Sequence, residues 1–169
     1  LGRLLRQTLA DMDQAIQNSG LVLRPSIPDE GIPITADSDR LYRVFQNLLS
    51  NALKYTRTGG IRIYLEKKLS LDTDDVSISI GNDDCNKVEN FTLVIEDTGI
   101  GIRAEDIPRI FEKGYTGVNG RDDNRATGIG LYLSNKIMRK LGHRLYITST
   151  EGKGTKVFLE FSVEDLSMY

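Results

Sequence analysis

Four side chains in the stretch Asn47–Tyr55 (NLLSNALKY) have the types and spacing to do chemistry together: Asn47, Asn51, Lys54 and Tyr55. On an α-helix, positions three and four apart share one stripe. That stripe carries two amides one turn apart, then a cation and a phenol. Amide oxygens can ligate a hard cation such as Mg²⁺, which takes oxygen ligands and retains several waters. An ammonium beside them can hold phosphate oxygens as a point charge. The solvated face of an ordinary amphipathic helix has the same composition, so this stretch alone leaves both readings open.

The element that must position these side chains runs from Ser38 to Thr56. There Leu41, Val44, Phe45, Leu48, Leu49 and Ala52 recur at helical spacing on the adjoining face. Asp37 or Ser38 supplies an N-cap, and Thr58-Gly59-Gly60 marks the end. A second stretch, Asp97-Thr98-Gly99-Ile100-Gly101-Ile102, leaves a strand directly. Its alternating glycines permit a tight turn and close backbone approach to a ligand. An aspartate buried at a strand end can accept a hydrogen bond from an exocyclic amine, which is how a carboxylate selects adenine. G-x-G turns are common, so this signal is weak by itself.

A third stretch, Thr127-Gly128-Ile129-Gly130-Leu131, opens a helix expected to reach about Leu141. Glycines there offer free backbone N–H groups and the positive dipole end to an anion. It is neither the dinucleotide fingerprint, lacking the preceding strand and third glycine, nor a Walker loop, lacking Gly-Lys-Ser/Thr. Before it lie sixteen polar, glycine-rich residues without periodicity, Glu112 to Thr127. A run of that kind suggests a mobile functional lid whose cations Lys113, Arg121 and Arg125 could meet phosphates; an ordinary exposed loop is the alternative.

The remaining chain supplies scaffold. Leu1, Leu5, Met12 and Ile16 give an amphipathic helix ending near Asn18-Ser19-Gly20, which either packs on its own domain or extends an upstream coiled coil. Strands are expected at Leu21–Ile27, Ile32–Ala36, Ile61–Glu66, Val76–Ile80, Phe91–Glu96, Arg144–Ser149 and Lys156–Val163, and a short helix at Glu105–Phe111. The acidic loops Asp72–Asp75 and Gly81–Asn90 lack the spacing and closing glutamate of a calcium loop and read as solvated hairpin tips. His143 follows a helix with no partner base or nucleophile pattern around it and reads as structural.

Length and composition narrow the classes. A chain of 169 residues, 39% apolar and 27% charged, suits one globular domain. A net charge of −2 argues against nucleic-acid binding by bulk electrostatics. One cysteine, Cys85, and one histidine exclude an internal disulfide and make zinc chemistry improbable. No apolar run is long enough to span a bilayer, and no signal-peptide pattern is present. The opening at Leu1 in mid-helix reads as a fragment of something longer.

Taken in order, NLLSNALKYT, DTGIGI, Pro108-Arg109-Ile110-Phe111-Glu112 and TGIGLYLSNK resemble the ATP-binding catalytic domain of sensor histidine kinases, in the ATPase superfamily shared with gyrase, MutL and the large heat-shock chaperone. The resemblance covers about Leu21 to Phe161, and its wording is most similar to kinases of the Gram-positive cell-envelope-stress type. It implies an α/β (α+β) two-layer sandwich, a mixed β-sheet packed on helices in the Bergerat-type ATP-binding fold. The catalytic domain would span 21–163, with residues 1–20 a helix that could end an upstream dimerisation segment and 164–169 a tail. The implied cofactors are ATP and Mg²⁺.

By position, the resemblance makes Asn51 the metal ligand, with Asn47, Lys54 and Tyr55 lining the nucleotide and phosphate side. It makes Asp97 the acceptor for the adenine amine, with Gly99, Ile100 and Gly101 forming the wall and Thr155 supporting the adenine end through water. Thr127, Gly128, Ile129, Gly130 and Leu131 would surround the phosphates, with Lys113, Arg121 and Arg125 reaching them from the lid. Asn47, Asn51 and Lys54 would be the catalytic set.

Two departures bear on mechanism. Hydrolysing members of the superfamily place a glutamate where this chain has Asn47, and an amide cannot take a proton from water. Transfer to a histidine nitrogen, unprotonated near pH 7, needs little help from a base. The family's phosphoacceptor histidine lies in an upstream helical segment that nothing here matches. The resemblance therefore implies a protein-histidine kinase catalytic domain without its acceptor. It would sit on the cytoplasmic side of a membrane-anchored bacterial sensor, without direct membrane contact. Its partners would be the dimerisation segment of its own homodimeric parent and a downstream response regulator, with no nucleic acid. A clamp-type ATPase and a degenerate nucleotide-binding interaction module are the competing readings.

Overall fold

The computed structural model describes residues 1–27, 34, 36–68, 90–117 and 127–161. At its centre is a helix, Ser38–Tyr55, written α3 below because α1 (Gly2–Asp11) and α2 (Asp13–Ser19) precede it. Its start is fixed by Asp37, whose carboxylate accepts from the Asp39 and Arg40 N–H groups at 3.1 Å each. The six apolar residues at helical spacing are all buried, each at most 4% exposed. The helix ends at Tyr55, a turn earlier than Thr58-Gly59-Gly60, because Thr56 already takes an extended backbone, φ −105° and ψ 114°.

One mixed sheet covers this helix. Its strands are β1 (Val22–Ser26), β2 (Gly60–Lys68), β3 (Asn90–Asp97), β4 (Arg144–Thr150) and β5 (Gly154–Phe161), in the order β1-β2-β3-β5-β4. β1 pairs parallel to β2 and the other neighbours are antiparallel. The parallel pair requires a crossover, which α3 occupies. β1 sits at an edge, where Pro25 and its lost N–H are tolerated.

Period-two alternation turns Ile61, Ile63, Leu93, Ile95, Val157, Leu159 and Phe161 inward to meet Leu41, Phe45 and Leu48 in one core. The last helix, α4 (Gly130–Lys140), packs beside α3 and adds Met138, which is fully buried. Leu5 of α1 joins the same core. Together these elements make two layers, helices on one face of a mixed sheet.

Several local expectations needed correction. The first helix breaks at Met12 (φ −101°, ψ 3°) and restarts with Asp13 favouring its positive end, before Gly20 closes it in the left-handed conformation. Glu105–Phe111 is a 3₁₀ segment, Ile107–Arg109, flanked by turns. The bonds from Asp106 to Arg103, Arg109 to Asp106 and Glu112 to Arg109 all span three residues. Pro108 has no N–H with which to continue an α-helical ladder. Ile34 and Ala36 are not in a strand; Ile32, Pro33 and Thr35, all of Val76–Ile80, the acidic stretches Asp72–Asp75 and Gly81–Glu89, and the tail lie outside the described residues.

His143 is 5% exposed and meets the Phe161 ring edge-on, centroids 5.0 Å apart. It is part of the packing beneath the sheet.

Candidate functional site

The end of α3 is stitched to the turn after β3, and this stitching creates the site. The Ile100 N–H donates to the Tyr55 carbonyl at 3.0 Å, and the Gly60 N–H donates to the Thr98 hydroxyl at 3.0 Å. Farther along the turn, the Ile102 N–H donates to Ser149 Oγ at 2.8 Å. The amide stripe of α3 and the aspartate at the end of β3 are thereby brought to one cleft. A third wall comes from α4 and the chain leading into it.

The cleft has a volume of about 530 Å³, within the range of small-molecule sites. Asn47, Asn51, Lys54 and Tyr55 line it from α3. Asp97, Ile100 and Gly101 line it from the β3 turn, and Thr155 from β5. Thr127, Gly128, Gly130 and Leu131 complete it. Twelve residues that the sequence separates into four stretches therefore meet at one cavity.

Three expected residues do not line it. Gly99 lies behind Asp97, where a side chain would strike the Tyr55 carbonyl and the carboxylate. Ile129 is 45% exposed, and Lys113 is also exposed. Arg121 and Arg125 lie outside the described residues.

Asp97 continues the inward alternation of Leu93 and Ile95, so its carboxylate points into the protein. Only 8% exposed, it accepts from the Gly99 N–H at 2.8 Å. Burial pushes its carboxyl above the ordinary aspartate value, opposed by the Gly99 and Thr155 backbone donors. The Thr56 hydroxyl also favours the charged form from nearby, without reaching good hydrogen-bond geometry. Around Asp97 the cleft is apolar, with Ile95, Ile100, Ile147 and Val157. A flat base with an amine at its edge matches that end.

The opposite end is polar. Among the described residues no side chain caps the start of α4, which leaves its first N–H groups to a ligand where Gly130 and Leu131 line the cleft. Gly128 holds a φ of 64°, a conformation costly for other residues, and its carbonyl accepts from the Gly114 N–H at 3.0 Å. That bond ties the two ends of the expected lid together. The described residues contain no group of three or more His, Cys, Asp or Glu able to hold a metal. A cation here would depend on amide oxygen, water and ligand phosphates, a donor set that suits Mg²⁺.

Sequence reasoning missed several contributors, of which four are instructive. Ile95 and Val157 were recoverable, since both share the inward face of their strands with Asp97 and Thr155. Asp106 was not, because nothing periodic surrounds it. It is 7% exposed, lines the cleft and accepts from Tyr115 Oη at 2.6 Å, while the Arg109 guanidinium stacks 4.4 Å from the Tyr115 ring. Ser134 was also missed. Its hydroxyl accepts from Asn47 Nδ2 at 2.9 Å across two helices.

Comparison with known proteins places this geometry among others. The family model described as histidine kinase-, DNA gyrase B- and HSP90-like ATPase matches residues 36–165. The sensor protein kinase GraS of Staphylococcus aureus (strain Newman) is 38% identical over 122 residues, 72% of this chain and 30% of the relative. The chain thus spans under a third of the curated relatives it matches. The nucleotide-free catalytic domain of histidine kinase ThkA superposes with a TM-score of 0.70 at 21% identity, covering 95% of this chain and 92% of that one. Full-length ShkA in complex with AMPPNP gives 0.70 at 21% identity, covering 96% and 30%. At such identities the solved structures establish the fold.

Proposed function

The chain belongs to the histidine kinase-, DNA gyrase B- and HSP90-like ATPase family, and we propose that it is the Mg·ATP-binding catalytic part of a sensor histidine kinase. The observation that carries this reading is the polarity of one cleft. A buried carboxylate stands at its apolar end, and two amides and an uncapped helix start stand at the other.

In this reading Asp97 accepts from the adenine amine, and the apolar wall takes the ring. Thr155 supports the adenine end through water. Asn51 is the metal ligand, and Mg²⁺ when bound neutralises charge on the transferring phosphoryl group. Asn47, Lys54 and the N–H groups around Gly128 and Gly130 orient the phosphates, with Lys113, Arg121 and Arg125 as cations of the lid segment. Phosphoryl transfer depends on such positioning and charge neutralisation.

Asn47 favours transfer over hydrolysis, because an amide cannot activate water as a base. The acceptor is a histidine on a dimerisation segment of a homodimeric parent, and a response regulator receives the phosphoryl group afterwards. Among the described residues no helix is long and apolar enough to cross a membrane. The domain is proposed to act on the cytoplasmic side of a membrane-anchored sensor.

The test mixes this chain and labelled ATP with the parent's dimerisation segment made separately. Acid-labile label should appear on that segment and vanish with Asn51→Ala, while His143→Gln leaves transfer intact. Steady ATP hydrolysis without transfer would support a clamp-type ATPase instead, and stable label at His143 would overturn the acceptor assignment.

A further inference from the structure

The Asn47 side chain is held from two sides by the first two turns of α4. Its Nδ2 donates to Ser134 Oγ at 2.9 Å. Gly130, one turn earlier on the same helix face, packs so closely that a side-chain carbon there would overlap the Asn47 amide. Ser134 is 2% exposed and does not line the cleft, so it cannot touch a ligand in it. Asn47 does line the cleft.

An amide has two chemically opposite ends, and a half-buried one can rotate between them. The hydroxyl accepts one N–H of the Asn47 amide. A hydroxyl could serve either end of the amide; Gly130 decides between them, because its Cα hydrogens can meet the amide oxygen in a weakly favourable contact that an NH₂ group could not make. We propose that Ser134 is a positioning residue for the phosphate end of the site: it anchors the Asn47 amide in the one orientation that Gly130 admits, and so sets how that amide is offered to the phosphates and their metal ion. The inference rests on the nucleotide reading given above and assigns a role to a residue outside the cleft.

The contact also links recognition to helix packing. Asn47 and Ser134 are 87 positions apart, so the bond exists only while α3 and α4 are docked. Displacing α4 would release the amide and loosen the phosphate end without disturbing Asp97, which belongs to the sheet.

Calorimetry on this chain tests the idea with Mg·ATP and with metal-free ADP. Ser134→Ala should weaken Mg·ATP by about tenfold, the scale of one lost hydrogen bond, and leave metal-free ADP within about twofold. Ser134→Cys, nearly the same size but a poor hydrogen-bond partner, should behave alike and guards against a folding defect. The decisive arm is the double variant. Asn47→Ala with Ser134→Ala should bind Mg·ATP no more weakly than Asn47→Ala alone. A multiplied loss would mean that Ser134 acts independently of Asn47 and would overturn the proposal, as would unchanged Mg·ATP binding by both Ser134 variants. Failure of the unmutated chain to bind Mg·ATP would overturn the underlying nucleotide reading instead.

Discussion

Replacing Asp97 with Asn changes little in shape and much in charge, and its effects on binding and stability should have opposite signs. One carboxylate oxygen, Oδ1, already accepts from the Gly99 N–H at 2.8 Å. The asparagine oxygen can keep that bond. The other end of the side chain then becomes an NH₂ group facing the adenine amine, donor against donor. A hydrogen bond to a charged group contributes about 1.5–3 kcal/mol, so ATP affinity should fall roughly ten- to a hundredfold. GTP presents a carbonyl at the same ring position, so the variant should narrow the preference for ATP from both sides.

For folding the sign reverses. Burial raises the Asp97 carboxyl above the ordinary value of 3.8 in the folded state. The native protein therefore holds this proton more tightly than the unfolded chain does. Its contribution to stability is present at acid pH and is lost as pH rises through the folded value. Asp97→Asn removes that dependence, so the variant should gain stability relative to the parent between about pH 4 and neutrality. Urea unfolding at several pH values reads the second effect, and competition calorimetry with ATP and GTP reads the first. ATP affinity within threefold of the parent, or a stability difference that does not move with pH, would refute the reasoning.

Three further outcomes are expected. Asn51→Ala should abolish the gain in ATP affinity that Mg²⁺ gives, so that calorimetry with and without chelator returns the same value for the variant. Phe45→Ala, at a fully buried ring in the core, should cost about 3–5 kcal/mol in urea unfolding, and a loss below 1 kcal/mol would contradict the packing described. The Gly114 N–H, bonded to the Gly128 carbonyl at the neck of the expected lid, should exchange more slowly with ATP bound than without it; full protection in the free protein would count against nucleotide-dependent ordering there.

Sequence alone determined the helix that carries the amides and the strand that carries the aspartate. A helix repeats every 3.6 residues, so burying Leu41, Phe45 and Leu48 forces Asn47 and Asn51 onto the neighbouring stripe. A strand repeats every two, so burying Leu93 and Ile95 forces Asp97 inward. These relations are local and survive any packing. What faces each stripe was decided by tertiary structure. Thr155 stands opposite Asp97 because β5 inserts between β3 and β4. Ser134 reaches Asn47 because two helices dock at one particular depth. Asp106 enters the cleft because Pro108 cannot continue a helix and the chain tightens into a 3₁₀ turn, from which Tyr115 folds back onto it. Such contacts depend on strand order, docking depth and turn geometry, and periodicity along one element carries no information about the distance to another.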